Sequence, residues 1–229
     1  MLRLAGHVVY PDAPYRTLMH SGIATRANTR PLHVGRFAEL YERHGRLDPY
    51  VPINSIRYRL YNVCMVAHLC RSVPGDFIFA GVSFGVAPRL IYDFVDLPAL
   101  DKSLHLIDTF EGVGTITGGS KDTRSYYNTD IDYVRAQYPD HAPVQFHRKL
   151  IPDALPLRGV ERVAFVSMNT GDAAANAASL PILWEALSPG GAIMTDQYAR
   201  GIQHFDPYIE QLGIEPFWFA TGQGAFFKS

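Results

Sequence analysis

Two short stretches carry the first chemical signal. Residues 165–172 read FVSMNTGD and residues 191–198 read GAIMTDQY. Each is an apolar, strand-like run that ends in a polar tip: Asn169, Thr170, Gly171 and Asp172 in the first, Asp196, Gln197 and Tyr198 in the second. A carboxylate at a strand end is placed to take a proton from a bound hydroxyl or to hold a hard cation. Mg²⁺ asks for octahedral oxygen ligands and usually one or two carboxylates. These tips offer Asp196 as their one secure acid, with Asn169 and Gln197 as neutral amides beside it. Asp172 joins only if its tip slips by one residue. No metal site is therefore expected. The other reading of the two amides is plain hydrogen bonding.

A second pair of features points to a nucleoside. Gly81 and Gly85 bracket the turn in AGVSFG, and Asp108 ends the next strand-like run, SLHLID. Glycine at a strand-to-helix turn lets the backbone reach torsions and approaches barred to other residues. An acid at the second strand tip suits two charge-assisted hydrogen bonds to ribose hydroxyls. The turn lacks the GxGxxG spacing that seats a pyrophosphate on a helix N-terminus, so a nucleoside without pyrophosphate fits better than NAD. The plainer alternatives are tight strand–helix packing for the glycines and a turn or helix cap for Asp108. Candidates for proton removal are Asp196, Asp172, His147 and His204. Histidine titrates in the useful range, although a surface role suits any one of the nine histidines.

These residues need a scaffold, and the hydrophobic pattern supplies one. Helical periodicity covers 33–45, with Phe37, Leu40 and Tyr41 on one face, and again 53–73. Apolar runs at 76–82, 103–110, 144–151, 160–168 and 190–198 read as strands. Helical segments at 86–97, 131–139, 175–187 and 204–213 separate most of them. EPFWFA and GAFFKS close the chain as an antiparallel hairpin. Such alternation predicts an α/β fold: a doubly wound, mostly parallel Rossmann-like sheet with an antiparallel C-terminal hairpin. Residues 1–50, punctuated by Pro11, Pro14, Pro31 and Pro49, read as an N-terminal arm or lid, a dimerisation element or a packing extension. Residues 51–229 read as the main domain.

Composition narrows the class. Of 229 residues, 47% are hydrophobic and 19% charged, and the formal net charge is −1. This supports a sizeable core and excludes a nucleic-acid footprint or an anionic-membrane binder. Cys64 and Cys70 are the only cysteines and are expected to be reduced, buried thiols. No signal-like segment or bilayer-length apolar run is seen, so a cytoplasmic protein is expected.

The sequence resembles a known family. PGDFIFAGVSFG (74–85), LHLIDTFEGVG (104–114), VQFHRKLIPDALP (144–156), ALSPGGAIMTDQY (186–198) and GQGAFFK (222–228) look like the class I S-adenosylmethionine (SAM)-dependent methyltransferases of the macrocin O-methyltransferase type. That family methylates sugar hydroxyls in antibiotic biosynthesis and uses a divalent metal. The resemblance implies that Gly81, Val82, Ser83 and Gly85 line the methionine end of SAM. It further implies that Asp108 holds the ribose, that Thr109 and Phe110 flank the adenosine, and that Lys149 and Leu150 border the adenine. Three departures stand out. Phe79 replaces a Glu of the first strand that helps fix the SAM end. Asn169, Gly171, Ala173 and Ala174 replace an acidic tip, and Asp196–Gln197 replaces paired acids.

The expectation is a SAM-dependent O-methyltransferase acting on a hydroxyl of a small molecule, a sugar or glycosylated natural product, without Mg²⁺. One alternative is a methyltransferase fold that binds SAM or S-adenosylhomocysteine but has lost methyl transfer and serves other chemistry or a partner. The other is an NAD- or nucleotide-binding protein, disfavoured by the glycine spacing. The 115–130 loop, with its YYNTD, is a candidate acceptor surface. Apolar residues of the arm (Val8, Val9, Tyr10, Leu18, Phe37, Leu40, Tyr41) need covering, which predicts a homodimer or higher oligomer.

Overall fold

The computed structural model describes residues 28–49, 56–111, 130–196 and 198–229, together with four short N-terminal strands. Those strands, β1 (Leu2–Leu4), β2 (His7–Val9), β3 (Leu18–His20) and β4 (Ile23–Thr25), pair as two antiparallel ribbons, β1 with β2 and β3 with β4. Gln197 and most of the 115–130 loop lie outside the described residues.

The central sheet follows the alternation in the sequence. β5 (Asp76–Ala80), β6 (Leu104–Ile107), β7 (Val144–His147), β8 (Val163–Met168) and β9 (Leu187–Thr195) are parallel, and β10 (Phe217–Trp218) and β11 (Gly224–Phe227) add an antiparallel edge. The strand order is β10-β11-β9-β8-β5-β6-β7. The helices are α1 (Arg36–His44), α2 (Arg57–Leu69), α3 (Val86–Phe94), α4 (Ile131–Arg135), α5 (Ala173–Ala186) and α6 (Tyr198–Leu212).

Side chains of β5 alternate between the two faces of the sheet, as strand geometry requires. Phe77 and Phe79 enter a core shared with α1, α2 and α3, whereas Ile78 and Ala80 enter one shared with α5 and α6. Both faces are thus covered, which is the doubly wound arrangement. Full burial of residues such as Leu90 and Ile193 contributes about 1.5–3 kcal/mol each. Phe37, Leu40 and Tyr41 of α1 are buried in the same core as α2 and α3, so this part of the N-terminal segment is covered by the chain itself. Cys64 and Cys70 are free and buried, and burial pushes both thiols up, Cys70 to about 12.

The last parallel strand is bounded differently from the sequence reading at both ends. The final parallel strand starts at Leu187 rather than Gly190, and Tyr198 opens α6 instead of ending the strand. Tyr198 packs its ring on Phe205, Trp218 and Phe226 in the core. Asp196 therefore sits in a tight strand-to-helix turn. Among the described residues no helix is long and apolar enough to cross a membrane.

Candidate active site

From β5 the chain builds outward through β6 and β7, then crosses back to β8 on the other side of β5. The order reverses between β5 and β8, where a doubly wound sheet opens its ligand crevice at the carboxyl ends of its strands. Gly81 leaves β5 with φ +88°, and a Cβ there would lie 2.2 Å from the backbone oxygen of Asn169. Only glycine permits this approach of the two strand tips. Gly85, at φ +81°, is the N-cap of α3. A cavity of about 250 Å³ opens at this point, bordered by Gly81, Val82, Ser83, Phe79, Asn169 and Asp196, with Arg59 and Asp48 also on its wall.

Asp108 lies just beyond β6, and its carboxylate organises the turn. Oδ2 accepts hydrogen bonds from the backbone N–H of Val82 (2.7 Å) and Ser83 (3.0 Å), and Oδ1 accepts from Phe110 N–H (2.9 Å). The acid thus joins the tips of β5 and β6. Oδ2 is saturated by two donors, whereas Oδ1 has one and keeps acceptor capacity for a ligand hydroxyl. Ser83 and Phe110 both adopt positive φ, 50° and 55°. A turn held in such torsions persists because its surroundings over-determine it, and the Asp108 hydrogen bonds do so here.

Asp196 is the acid at the other side of the cavity. Its side chain is only 14% exposed. Arg59 Nη2 stands 3.1 Å from its Oδ2, and Gln223 Nε2 donates to its Oδ1. Gln223 is in turn held by Asn62, Thr221 and the carbonyl of Arg59. Burial raises the Asp196 pKa above the ordinary carboxylate range, while the Arg59 charge and the Gln223 hydrogen bond pull it back in part. A carboxylate with a raised pKa is a stronger base than a free one.

The other sequence candidates are placed differently. Asp172 is the N-cap of α5, its Oδ1 accepting from Ala175 N–H at 3.0 Å. His204 is exposed on α6. His147 ends β7, and its Nε2 lies 3.1 Å from His105 Nδ1, whose own Nε2 lies 3.1 Å from Asp76 Oδ2. Burial, then the charges of His105 and Lys149, lower the His147 pKa. Thr109 follows Asp108, and its carbonyl accepts from Arg148. Lys149 is exposed beyond β7. The fold thus brings Gly81, Val82, Ser83 and Asp196 to one cavity, holds Asp108 to that cavity's turn, and leaves Asp172 and His204 in local roles. Arg59, Asp48 and Gln223 escaped the sequence reading. The available signal was the polar pair Arg59 and Asn62, one turn apart on α2.

The decisive comparison is with family models. Residues 48–215 match the model described as Macrocin-O-methyltransferase (TylF). The chain belongs to this family. The macrocin O-methyltransferase match covers the glycine turn, Asp108 and both strand tips, and the protein is accordingly a SAM-dependent methyltransferase with SAM as its cofactor. No curated protein matches in sequence. Solved structures share the fold at low identity. The O-methyltransferase NovP has a TM-score of 0.63 at 19% identity over 78% of this chain and 82% of that one. The calicheamicin methyltransferase CalS11 has a TM-score of 0.58 at 11% identity over 85% and 94%. TomG from Streptomyces achromogenes, solved with SAM, has a TM-score of 0.55 at 11% identity over 83% and 90%.

The two implied groups fare differently against these residues. SAM fits: the glycine turn borders a cavity of the right kind, and Oδ1 of Asp108 retains acceptor capacity beside it. For a divalent ion the cavity wall offers Asp48, Asp196 and the Asn169 amide among the described residues. Among the described residues no three of His, Cys, Asp and Glu converge on a possible metal. The acid that would anchor one, Asp196, already holds a guanidinium and an amide.

Proposed function

We propose that this enzyme moves the SAM methyl group to a hydroxyl of a small molecule, a sugar or glycosylated natural product, and does so without Mg²⁺. The carrying observation is Asp196, largely buried in the same cavity as the glycine turn and raised in pKa by that burial. In this reading Gly81, Val82, Ser83 and Gly85 seat the methionine end. Asp108 takes the ribose, Thr109 and Phe110 flank the adenosine, and Lys149 borders the adenine. Asp196 accepts the acceptor's proton as its oxygen attacks the methyl in line with sulfur. Asp172 and His204 then serve the scaffold and the surface. The sugar acceptor is supported by the family's macrocin name and by CalS11, which is described as a TDP-rhamnose 3′-O-methyltransferase.

The test is a screen with methyl-labelled SAM against glycosylated natural products and nucleotide sugars. Label transfer to a sugar hydroxyl is expected. Tight SAM binding with no transfer to any acceptor would instead favour a fold that has given up methyl transfer. Turnover is also expected to survive EDTA. Activity lost with EDTA and restored by Mg²⁺ would show that these tips still build a metal site.

A further inference from the structure

The cavity contains a cation of its own. Arg59 is contributed by α2, far from either strand tip in sequence, and reaches Asp196 through Nη2, which also lies 3.3 Å from the Asp196 carbonyl. Arginine stays charged at any working pH. Of its other donors, Nε is buried without a hydrogen-bond partner among the described residues. Arg89 shows what a structural arginine looks like in this chain, with Nη1 on the Gln137 carbonyl and Nη2 on both oxygens of Asp93. Arg59 also remains 26% exposed where it lines the cavity, with Phe79 on the same wall. A partly shielded guanidinium exerts a stronger field than a fully exposed one.

We propose that Arg59 is the fixed positive charge of the acceptor site, doing for the acceptor oxygen what a divalent ion between the Asn169 and Asp196 tips would do. The proposal rests on Asp196 being the base. As the acceptor O–H gives its proton to Asp196, negative charge gathers on the oxygen, and Arg59 stabilises it. The new O–CH₃ bond forms as the C–S bond breaks, and that electron pair stays on sulfur to leave neutral S-adenosylhomocysteine. Arg59 also pulls the raised Asp196 pKa back in part and occupies its Oδ2, so a metal competing for that carboxylate would meet an occupied acid and a like charge.

The test needs no acceptor, so it stands apart from the screen above. Mn²⁺ titration of the wild-type protein, followed by electron paramagnetic resonance, is expected to show no saturable site in this cavity. Arg59→Met combined with Asn169→Asp removes the cation and supplies a second acid. This variant is expected to gain a saturable Mn²⁺ site that wild type lacks. SAM affinity, measured by calorimetry, is expected to stay near wild type in Arg59→Met. Saturable Mn²⁺ binding by wild type that disappears in Asp196→Asn would overturn the proposal, and this arm does not depend on the Arg59 variants folding. A double variant that binds SAM but gains no Mn²⁺ would overturn it too. So would a large loss of SAM affinity in Arg59→Met, which would assign the guanidinium to the cofactor's carboxylate.

Discussion

Asp196→Asn should cut the turnover number by roughly 10²–10⁴-fold, the range for removing a general base, while SAM still binds. Asparagine keeps the size of the side chain and one acceptor oxygen, so Gln223 or Arg59 retains a partner and the turn before α6 retains its shape. What disappears is the ability to take a proton. The pH profile carries the sharper prediction. Burial raises the Asp196 pKa, and the base must be ionised to work. Activity should therefore fall as pH drops through a value above the ordinary aspartate range, near 3.9. The stability sign runs the other way: a raised folded-state pKa favours the protonated acid, so its contribution is complete below the unfolded value and is lost as pH rises through the folded one. The charged form that catalysis needs is the one the fold finds costly, and Arg59 and Gln223 offset that cost. Steady-state kinetics over pH with the acceptor identified by the screen, alongside SAM calorimetry, would check this. A variant with wild-type turnover would remove Asp196 from the chemistry.

The contrast between what the sequence disclosed and what it concealed has a physical basis. The parallel strands were legible because a strand buried on both faces is apolar at nearly every position, as in β5 after Asp76 and in β8 apart from Ser167, and because glycines and prolines punctuate the ends. Asp108 was legible because it ends the strand that follows the Gly81–Gly85 turn in a strand–turn–helix pattern. The environment of Asp196 was not. Its cation comes from α2, 137 residues earlier, and its amide partner Gln223 comes from just before β11, which returns antiparallel beside β9. Periodicity describes which face of an element is buried and does not describe which elements meet. The same limit hid the line of Asp76, His105 and His147, one from each of three adjacent strands. It also hid that α1 buries Phe37 and Tyr41 against α2 and α3, which made that part of the N-terminal segment read as an appendage needing a partner.

Asp108→Ala should weaken SAM binding by about 1.5–3 kcal/mol, the scale for losing hydrogen bonds to a charged group, or roughly 10–150-fold in Kd. Two effects combine. The ribose loses its acceptor at Oδ1. The backbone N–H groups of Val82, Ser83 and Phe110 lose the carboxylate that gathers them, and the positive-φ torsions of Ser83 and Phe110 lose their restraint. The variant should consequently melt at a lower temperature as well as bind less tightly. Asp108→Asn separates the two effects. Its side-chain oxygen can still accept from the turn, but its amide nitrogen is a donor and cannot replace the second oxygen. That variant should recover part of the melting temperature and less of the affinity. Calorimetric SAM titrations and thermal melts of both variants decide the matter. If Asp108→Ala melts early yet binds SAM as wild type does at a temperature where it is folded, the carboxylate serves the turn alone and the ribose is held elsewhere.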